Sequence, residues 1–259
     1  MRLFLLPPSF KGEPTLELSG KDFNYIIHAL RLKEGQEIMG RDRDGKLWDL
    51  SIISIHKNSC TLSASQTQEA QSKTDALPEE NPLKPIILYQ CLPKGRKADD
   101  IIKKATEAGV RDIVLVRSRN CVANLEGKET SRLSRYDALV TEAIQQSGSM
   151  VPTKVHGVID INEIPDDLRS RSCGMETLGL VLHQTRLSEN QSDLLSCVSG
   201  FKGCTALVVG PEGGLEEDEC MSLLDAGFKA ILLKTNILRC ETASIYAIGA
   251  VQTILESSC

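Results

Sequence analysis

The chain has 259 residues, 41% hydrophobic and 25% charged, with a formal net charge of −5. That length suits one large or two modest domains, and the composition is ordinary for a globular protein. No apolar run reaches the roughly 20 residues of a membrane-spanning helix, and no global cationic field exists, so any nucleic-acid contact must come from local basic patches.

Residues 1–70 read as a small β-rich domain. Apolar stretches at 2–6, 37–40, 47–55 and 60–64 are separated by turn signals, of which Asp44-Gly45 is the strongest. The first stretch is broken by Pro7-Pro8 too soon for a signal peptide and reads as a strand. A helix is predicted over 21–32, with Asp22 near its start. Arg31 and Lys33 follow at its C-terminal pole, where cations suit the dipole. The chain then turns polar, and a linker is expected over 71–84.

From 85 to 259 strands and helices alternate, which predicts an α/β domain with a largely parallel sheet. Strands are expected at 86–91, 112–116, 178–183, 206–209 and 229–233. Helices are expected at 98–108, at 129–147, after the acidic run 216–219, and last in a segment ending near 257. The nine cysteines show no C-x-x-C spacing and do not cluster with the four histidines. This predicts no metal site and reduced thiols in the cytoplasm.

In open α/β sheets ligands gather at the carboxyl ends of strands. Two loops stand out there. Gly210-Pro211-Glu212-Gly213-Gly214 neither extends a strand nor starts a helix cheaply. The second loop, 234–236, leads into Ile237-Leu238-Arg239-Cys240-Glu241-Thr242-Ala243. Glu216-Glu217-Asp218-Glu219 complements a helix dipole but repels phosphate, and neither G-x-x-x-x-G-K-[ST] nor G-x-G-x-x-G occurs. A neutral or cationic small molecule fits better. Arg239 and Glu241 stand among apolar neighbours, where unpaired charge is costly, and Cys240 is the thiol to watch. Basic loops at 92–97 and 117–120 read, on their own, as solvated charge.

VGPEGGLEEDE and LKTNILRCETA resemble the two cofactor-loop motifs of the SPOUT class of RNA methyltransferases. They most resemble the bacterial family that methylates uracil N3 in small-subunit (16S) ribosomal RNA. That family's second motif reads L-G-x-R-I-L-R-x-E-T-A. Ile237, Leu238, Arg239, Glu241, Thr242 and Ala243 match it, while Lys234 and Asn236 replace Gly and Arg. Leu92-Pro93-Lys94-Gly95 resembles its L-P-K-G segment. Arg119 matches the Arg of S-E-R-S. Gln146-Ser147-Gly148 matches Q-S-G, with Ser149 where Arg is usual. Leu30-Arg31-Leu32-Lys33 resembles the V-L-R-L-K-x-G-D segment of the family's PUA-like domain, with Gln36 in place of Asp.

The resemblance implies a C-terminal SPOUT α/β domain with a deep trefoil knot, and an N-terminal small β-barrel PUA-like domain. It also implies a cytoplasmic homodimer without metal that uses S-adenosylmethionine. The RNA would be met free or in the assembled 30S subunit. Cofactor contacts would fall to Leu182, His183, Gly210, Pro211, Glu212, Gly213, Gly214, Leu233, Ile237, Leu238, Arg239, Thr242 and Ala243. RNA phosphates would meet Arg2, Arg31, Lys33, Lys94, Arg96 and Arg119. Arg239 would stabilise anionic uracil. Glu241 would position Arg239, hold a cofactor group or take a proton, and Glu212 is a second proton acceptor. Two alternatives stay open. One is methylation of another rRNA or tRNA nucleotide. The other is a non-catalytic RNA-binding assembly protein, to which the departures at 149, 234 and 236 lend weight.

Overall fold

The computed structural model describes residues 3–42, 45–67, 83–122, 129–183, 191–233 and 235–257. Arg2, Asp44, Lys234 and most of the expected linker lie outside them. The chain forms two compact units, Met1–Glu79 with Ile144–Met150 and Glu80–Ala143 with Val151–Cys259.

The first unit is built on period-two burial. Its elements are β1 (Leu3–Leu5), β2 (Thr15–Ser19), α1 (Gly20–Phe23), β3 (Glu37–Arg41), β4 (Leu47–Ile55) and β5 (Ser59–Gln66). The sheet order is β1-β3-β4-β5-β2, with β1 parallel to β3 and the other pairs antiparallel. Trp48, Leu50 and Ile52 alternate inward along β4, and Cys60, Leu62 and Ala64 along β5. Phe4, Phe10, Leu18, Phe23 and Ile26 close the same core. Phe10 meets Trp48 edge to face at 4.8 Å, and Trp48 Nε1 donates to Asp42 Oδ2 at 2.9 Å, so the ring is buried with its polar atom satisfied. The ladder leaves β1 and β2 as edges, so among the described residues the barrel implied by the resemblance is open.

The helix expected over 21–32 is shorter. One α turn widens into a π-helical stretch, Asn24–Ala29. It stops because Arg31 takes a left-handed φ of 57°, and Leu32 N–H donates back to Ile26 O at 3.2 Å. This is the geometry of a helix C-terminus, usually given to glycine and held here by arginine.

The second unit contains β6 (Ile86–Cys91), α2 (Lys97–Glu107), β7 (Asp112–Arg117), α3 (Glu129–Ser147), β8 (Lys154–Asp160), α4 (Ile164–Arg171) and β9 (Thr177–Leu182). It continues with β10 (Gln191–Ser192), α5 (Leu194–Val198), β11 (Cys204–Val209), α6 (Glu217–Asp225), β12 (Lys229–Ile231) and α7 (Cys240–Ser257). Seven strands run in the order β10-β12-β9-β11-β6-β7-β8, every pairing parallel. β6 and β11 are buried along their whole length, as strands covered on both faces must be. Ile164 and Leu168 of α4 and Cys220 and Leu223 of α6 pack on one face. α7 covers β6 and β11 on the other and packs against α2 and α5.

At the amino-terminal edge, Asp112 is paired with Arg111 at 2.7 Å and with His156 Nε2 at 2.7 Å. Tyr89 Oη donates to Asp167 Oδ2 at 2.9 Å. The Tyr89 bond, with Arg111 Nη2 donating to Arg171 O at 2.9 Å, ties α4 to the sheet, and Arg111 and His156 satisfy the half-buried Asp112.

Phe228 packs against β9 because of one glycine. A Cβ on Gly179 would lie 2.4 Å from the Phe228 ring. Gly179→Ala should therefore destabilise the protein by about 1–3 kcal/mol, the usual cost of overpacking. Urea denaturation checks this, and Phe228→Leu, which vacates the ring, should shrink the Gly179→Ala penalty.

Candidate functional site

β9, β11 and β12 are neighbours, and Leu182 pairs with both Val209 and Ile231. The three strands therefore end on one rung. Beyond it the chain leaves the sheet at three adjacent points, and the loops enclose a cavity of about 440 Å³. Leu182 and His183, the whole of 209–215, 231–233, 235–240 and Ala243 line it. The glycine loop turns tightly there. Gly214 N–H donates to Pro211 O at 2.9 Å, and Gly214 has φ 75°, which only glycine adopts without cost.

Of the residues expected to hold a cofactor, Leu182, His183, Gly210, Pro211, Glu212, Gly213, Gly214, Leu233, Ile237, Leu238, Arg239 and Ala243 line the cavity. Thr242 does not. It sits in the first turn of α7, exposed, with its N–H bonded to Arg239 O at 2.9 Å, while Ala243 takes the inward position. Glu241 also lies off the wall.

Glu241 instead joins a cluster that the sequence did not reveal. Lys97, the first residue of α2, places Nζ 2.8 Å from Glu212 Oε1 and 3.5 Å from Glu241 Oε2. Lys94 N–H also donates to Glu212, at 3.1 Å. One ammonium thus ties the glycine loop to the start of α7. Burial pushes the Glu212 carboxyl up, but Lys97, its own N–H and the Lys94 N–H outweigh this and hold it below the ordinary carboxylate range. Glu241 behaves alike: burial raises it, while its own N–H, the Cys240 S–H and Lys97 bring it down. The Lys97 ammonium is raised in turn, chiefly by its hydrogen bond to Glu212. Cys240 is pushed up to about 12 by burial and then by Glu241. Buried and shifted upward, Cys240 is disfavoured as a thiolate.

The loop after β7 holds the other side. Asn120 Nδ2 donates to Glu216 Oε1 at 2.7 Å, and to the carbonyls of Gly213 and Gly214 at 3.4 and 3.3 Å. Arg119 N–H donates to Glu219 Oε1 at 2.8 Å, and its guanidinium forks onto Asp218 at 3.1 and 2.6 Å. Glu216 and Glu219 complete a capping box at the start of α6. The acids at 216–219 therefore anchor α6 and its loop as well as suiting the dipole. Arg119 is already engaged by one of them.

Arg31 and Lys33 are exposed in the first unit, and Lys94 and Arg96 are exposed in the loop before α2. Among the described residues, no group of three or more His, Cys, Asp or Glu is placed to hold a metal ion.

A pair whose folded carboxyl is depressed adds stability above the unfolded value of 4.5 and loses it as pH falls through the folded one. Lys97→Gln should thus cost stability near neutral pH, and its difference from the parent should close as pH drops into the carboxylate range. Carboxyl-carbon NMR should show Glu212 and Glu241 titrating higher in the variant.

The sequence matches the RNA methyltransferase domain model over residues 79–252 and the RNA methyltransferase PUA domain model over 18–64. Ribosomal RNA small subunit methyltransferase E of Mycobacterium bovis is 34% identical over 168 residues, which are 64% of this chain and 62% of that protein. Only about three-fifths of that relative's length is thus spanned. The Bacillus subtilis protein of the same name is 29% identical over 243 residues, covering 92% and 90% of the two chains. A crystal structure of a ribosomal RNA small subunit methyltransferase E from Neisseria gonorrhoeae bound to S-adenosyl methionine superposes with a TM-score of 0.79. It shares 28% identity and covers 98% of each chain. With two thirds of its length under one family model and a matching PUA domain ahead of it, the chain belongs to the RNA methyltransferase family.

Proposed function

We propose that this protein transfers a methyl group from S-adenosylmethionine to N3 of a uridine in small-subunit ribosomal RNA. The observation that carries the reading is the cavity at the shared rung, closed by two loops whose motifs are those of a cofactor site. Its volume lies within the few hundred Å³ and upward of small-molecule sites. Leu182, Val209, Ile231, Leu233 and Leu238 offer apolar walls suited to an adenine, and the loop backbones offer hydrogen-bonding groups at close range. Glu212 brings a carboxylate to the wall, which suits a cationic ligand.

When bound, S-adenosylmethionine supplies an electrophilic methyl on a positively charged sulfur. The residues must do the rest. Uracil N3 carries a proton that normally pairs, so the base must be unpaired and turned into the site. Its N3 must lose that proton, and the anion left behind needs a fixed positive charge. Arg239 lines the cavity and is exposed to an incoming base, so it takes this role. Glu212 and Glu241 share Lys97 and are held ionised, which makes them weak bases at neutral pH. Their role is to fix the glycine loop against α7 and keep Arg239 in place. Arg31, Lys33, Lys94 and Arg96 contact phosphate. Arg119 contributes less because it must first leave Asp218. The same reading places the protein in the cytoplasm as a homodimer with a knotted C-terminal domain, acting on the 16S rRNA or the 30S subunit.

Calorimetric titration should show binding of S-adenosylmethionine and none of ATP; binding of ATP alone would overturn the reading of the acidic loop. Arg239→Ala should lower the methyl-transfer rate about 100- to 1000-fold, the usual loss of one anion-stabilising donor, with little change in cofactor affinity. Equal losses in both would make Arg239 a binding residue. Arg31→Ala should weaken RNA binding and lower the salt slope by about one; an unchanged slope removes Arg31 from the RNA contact.

A further inference from the structure

Cys91 ends β6, fully buried, and its rung partner on β7 is Val116. Cys121 lies five residues past that partner, at the end of the turn after β7. Its sulfur comes to 3.7 Å from Val116 O, directly over the rung that carries Cys91. It packs, half-buried, on the core cluster that contains Cys91. Ser118 N–H points at the Cys121 sulfur from 3.4 Å, and Ser118 Oγ lies 3.3 Å away. The pair therefore combines a buried thiol with a partly accessible one surrounded by donors.

Those donors separate the two sulfurs. The Cys91 S–H, against burial and helped by Ser118 and the N–H groups of Ser118 and Leu92, brings Cys121 down to about 6. The Cys121 side chain, with burial, drives Cys91 well up. The other cysteines with a resolved shift, Cys60, Cys204, Cys220 and Cys240, all move up, with burial foremost. Cys121 is thus shifted opposite to those four, and Cys91 stands near it as a resolving thiol, the arrangement of redox-sensing pairs.

We propose that Cys91 and Cys121 form a reversible disulfide when the protein meets a hydroperoxide, and that this oxidation loosens the glycine loop. The Cys121 thiolate attacks the peroxide, the O–O bond breaks, and sulfenic acid forms as the alkoxide or hydroxide leaves. The Cys91 sulfur then attacks the sulfenic sulfur. The S–S bond forms, the S–O bond breaks, and hydroxide leaves with the Cys91 proton as water. Two thiols are oxidised, one hydroperoxide is reduced to alcohol or water, and a second water is released. A thiol reductant reverses the change.

Oxidation reaches the cavity through the turn. The Cys121 sulfur is the acceptor that holds Ser118, and Cys121 N–H closes the turn on Ser118 O at 3.1 Å. Between them, Arg119 holds α6 and Asn120 holds the carbonyls of Gly213 and Gly214. Drawing the sulfur onto Cys91 removes the Ser118 acceptor and strains those contacts. The effect on S-adenosylmethionine rests on the reading of the cavity given above; the disulfide itself does not.

The test is intact-mass analysis and peptide mapping of the full-length protein after hydrogen peroxide. Expected is the loss of two hydrogens, restored by dithiothreitol, with peptides bearing Cys91 and Cys121 joined. Cys121→Ser should abolish the cross-link, and Cys91→Ser should leave a sulfenic acid on Cys121 that dimedone traps. Peroxide that modifies exposed Cys173 as fast as Cys121, or a cross-link elsewhere, would overturn the disulfide. Calorimetry should show S-adenosylmethionine bound about tenfold more weakly after oxidation, the scale of one or two lost hydrogen bonds, and recovering on reduction. A joined pair with unchanged affinity would overturn the coupling. Failure of the reduced protein to bind would count against the cavity reading and leave the mass result to decide the disulfide.

Discussion

The site depends on one rung of a parallel sheet. Leu182, Val209 and Ile231 pair across three adjacent strands, so three chain exits stand roughly 4.8 Å apart. No local preference of either loop could bring 210–214 and 232–239 together. Their meeting follows from strand order, which sets β9 between β11 and β12. Gly179 belongs to the same constraint, because the close approach of Phe228 beneath β9 leaves no room for a side chain.

Charge then fixes what the sheet positions. Four acids in a row suit the dipole of the helix they open but repel one another. Here each of three has a partner: Glu216 has Asn120, Asp218 has Arg119, and Glu219 has the Arg119 N–H. Across the cavity one Lys97 ammonium pairs with both Glu212 and Glu241. The glycine loop is therefore clamped from two sides by groups outside it. Among the described residues Arg239 is the lysine or arginine that lines the cavity, and the two carboxylates are tied to Lys97. Arg119 is engaged in the same way, by Asp218.

Much of this was legible in the residues. The alternation in β4 and β5 and the unbroken apolar runs of β6 and β11 read directly as strands, and the long helix at 129–147 was placed where α3 stands. The two loops were legible because glycine, proline and charged residues interrupt apolar runs at strand ends. Other elements were not. β2 buries only Leu18, and β8 is an edge strand of intermediate burial, so neither carries a clean period. α4, α5 and β10 lie in a stretch with no strong pattern. The helix at 21–32 was overextended because an arginine took the left-handed cap that glycine normally announces. Lys97 and Asn120 were missed for a simpler reason: they meet their partners across the fold, Asn120 reaching Glu216 over 96 residues. Cys240 draws notice through its motif, whereas the thiol shifted downward is Cys121, whose surroundings, Cys91 and Ser118, the sequence does not bring together.

In the proposed function the cavity at this rung delivers a methyl group to uracil N3 of small-subunit RNA. The most direct measurement incubates the protein with isotope-labelled S-adenosylmethionine and, separately, 30S subunits and free 16S rRNA lacking N3 methylation, then digests the RNA and identifies labelled nucleosides by mass spectrometry. Labelled 3-methyluridine at one position, absent with Arg239→Ala, is the predicted result. Label on another nucleoside, or none despite cofactor binding, would contradict it.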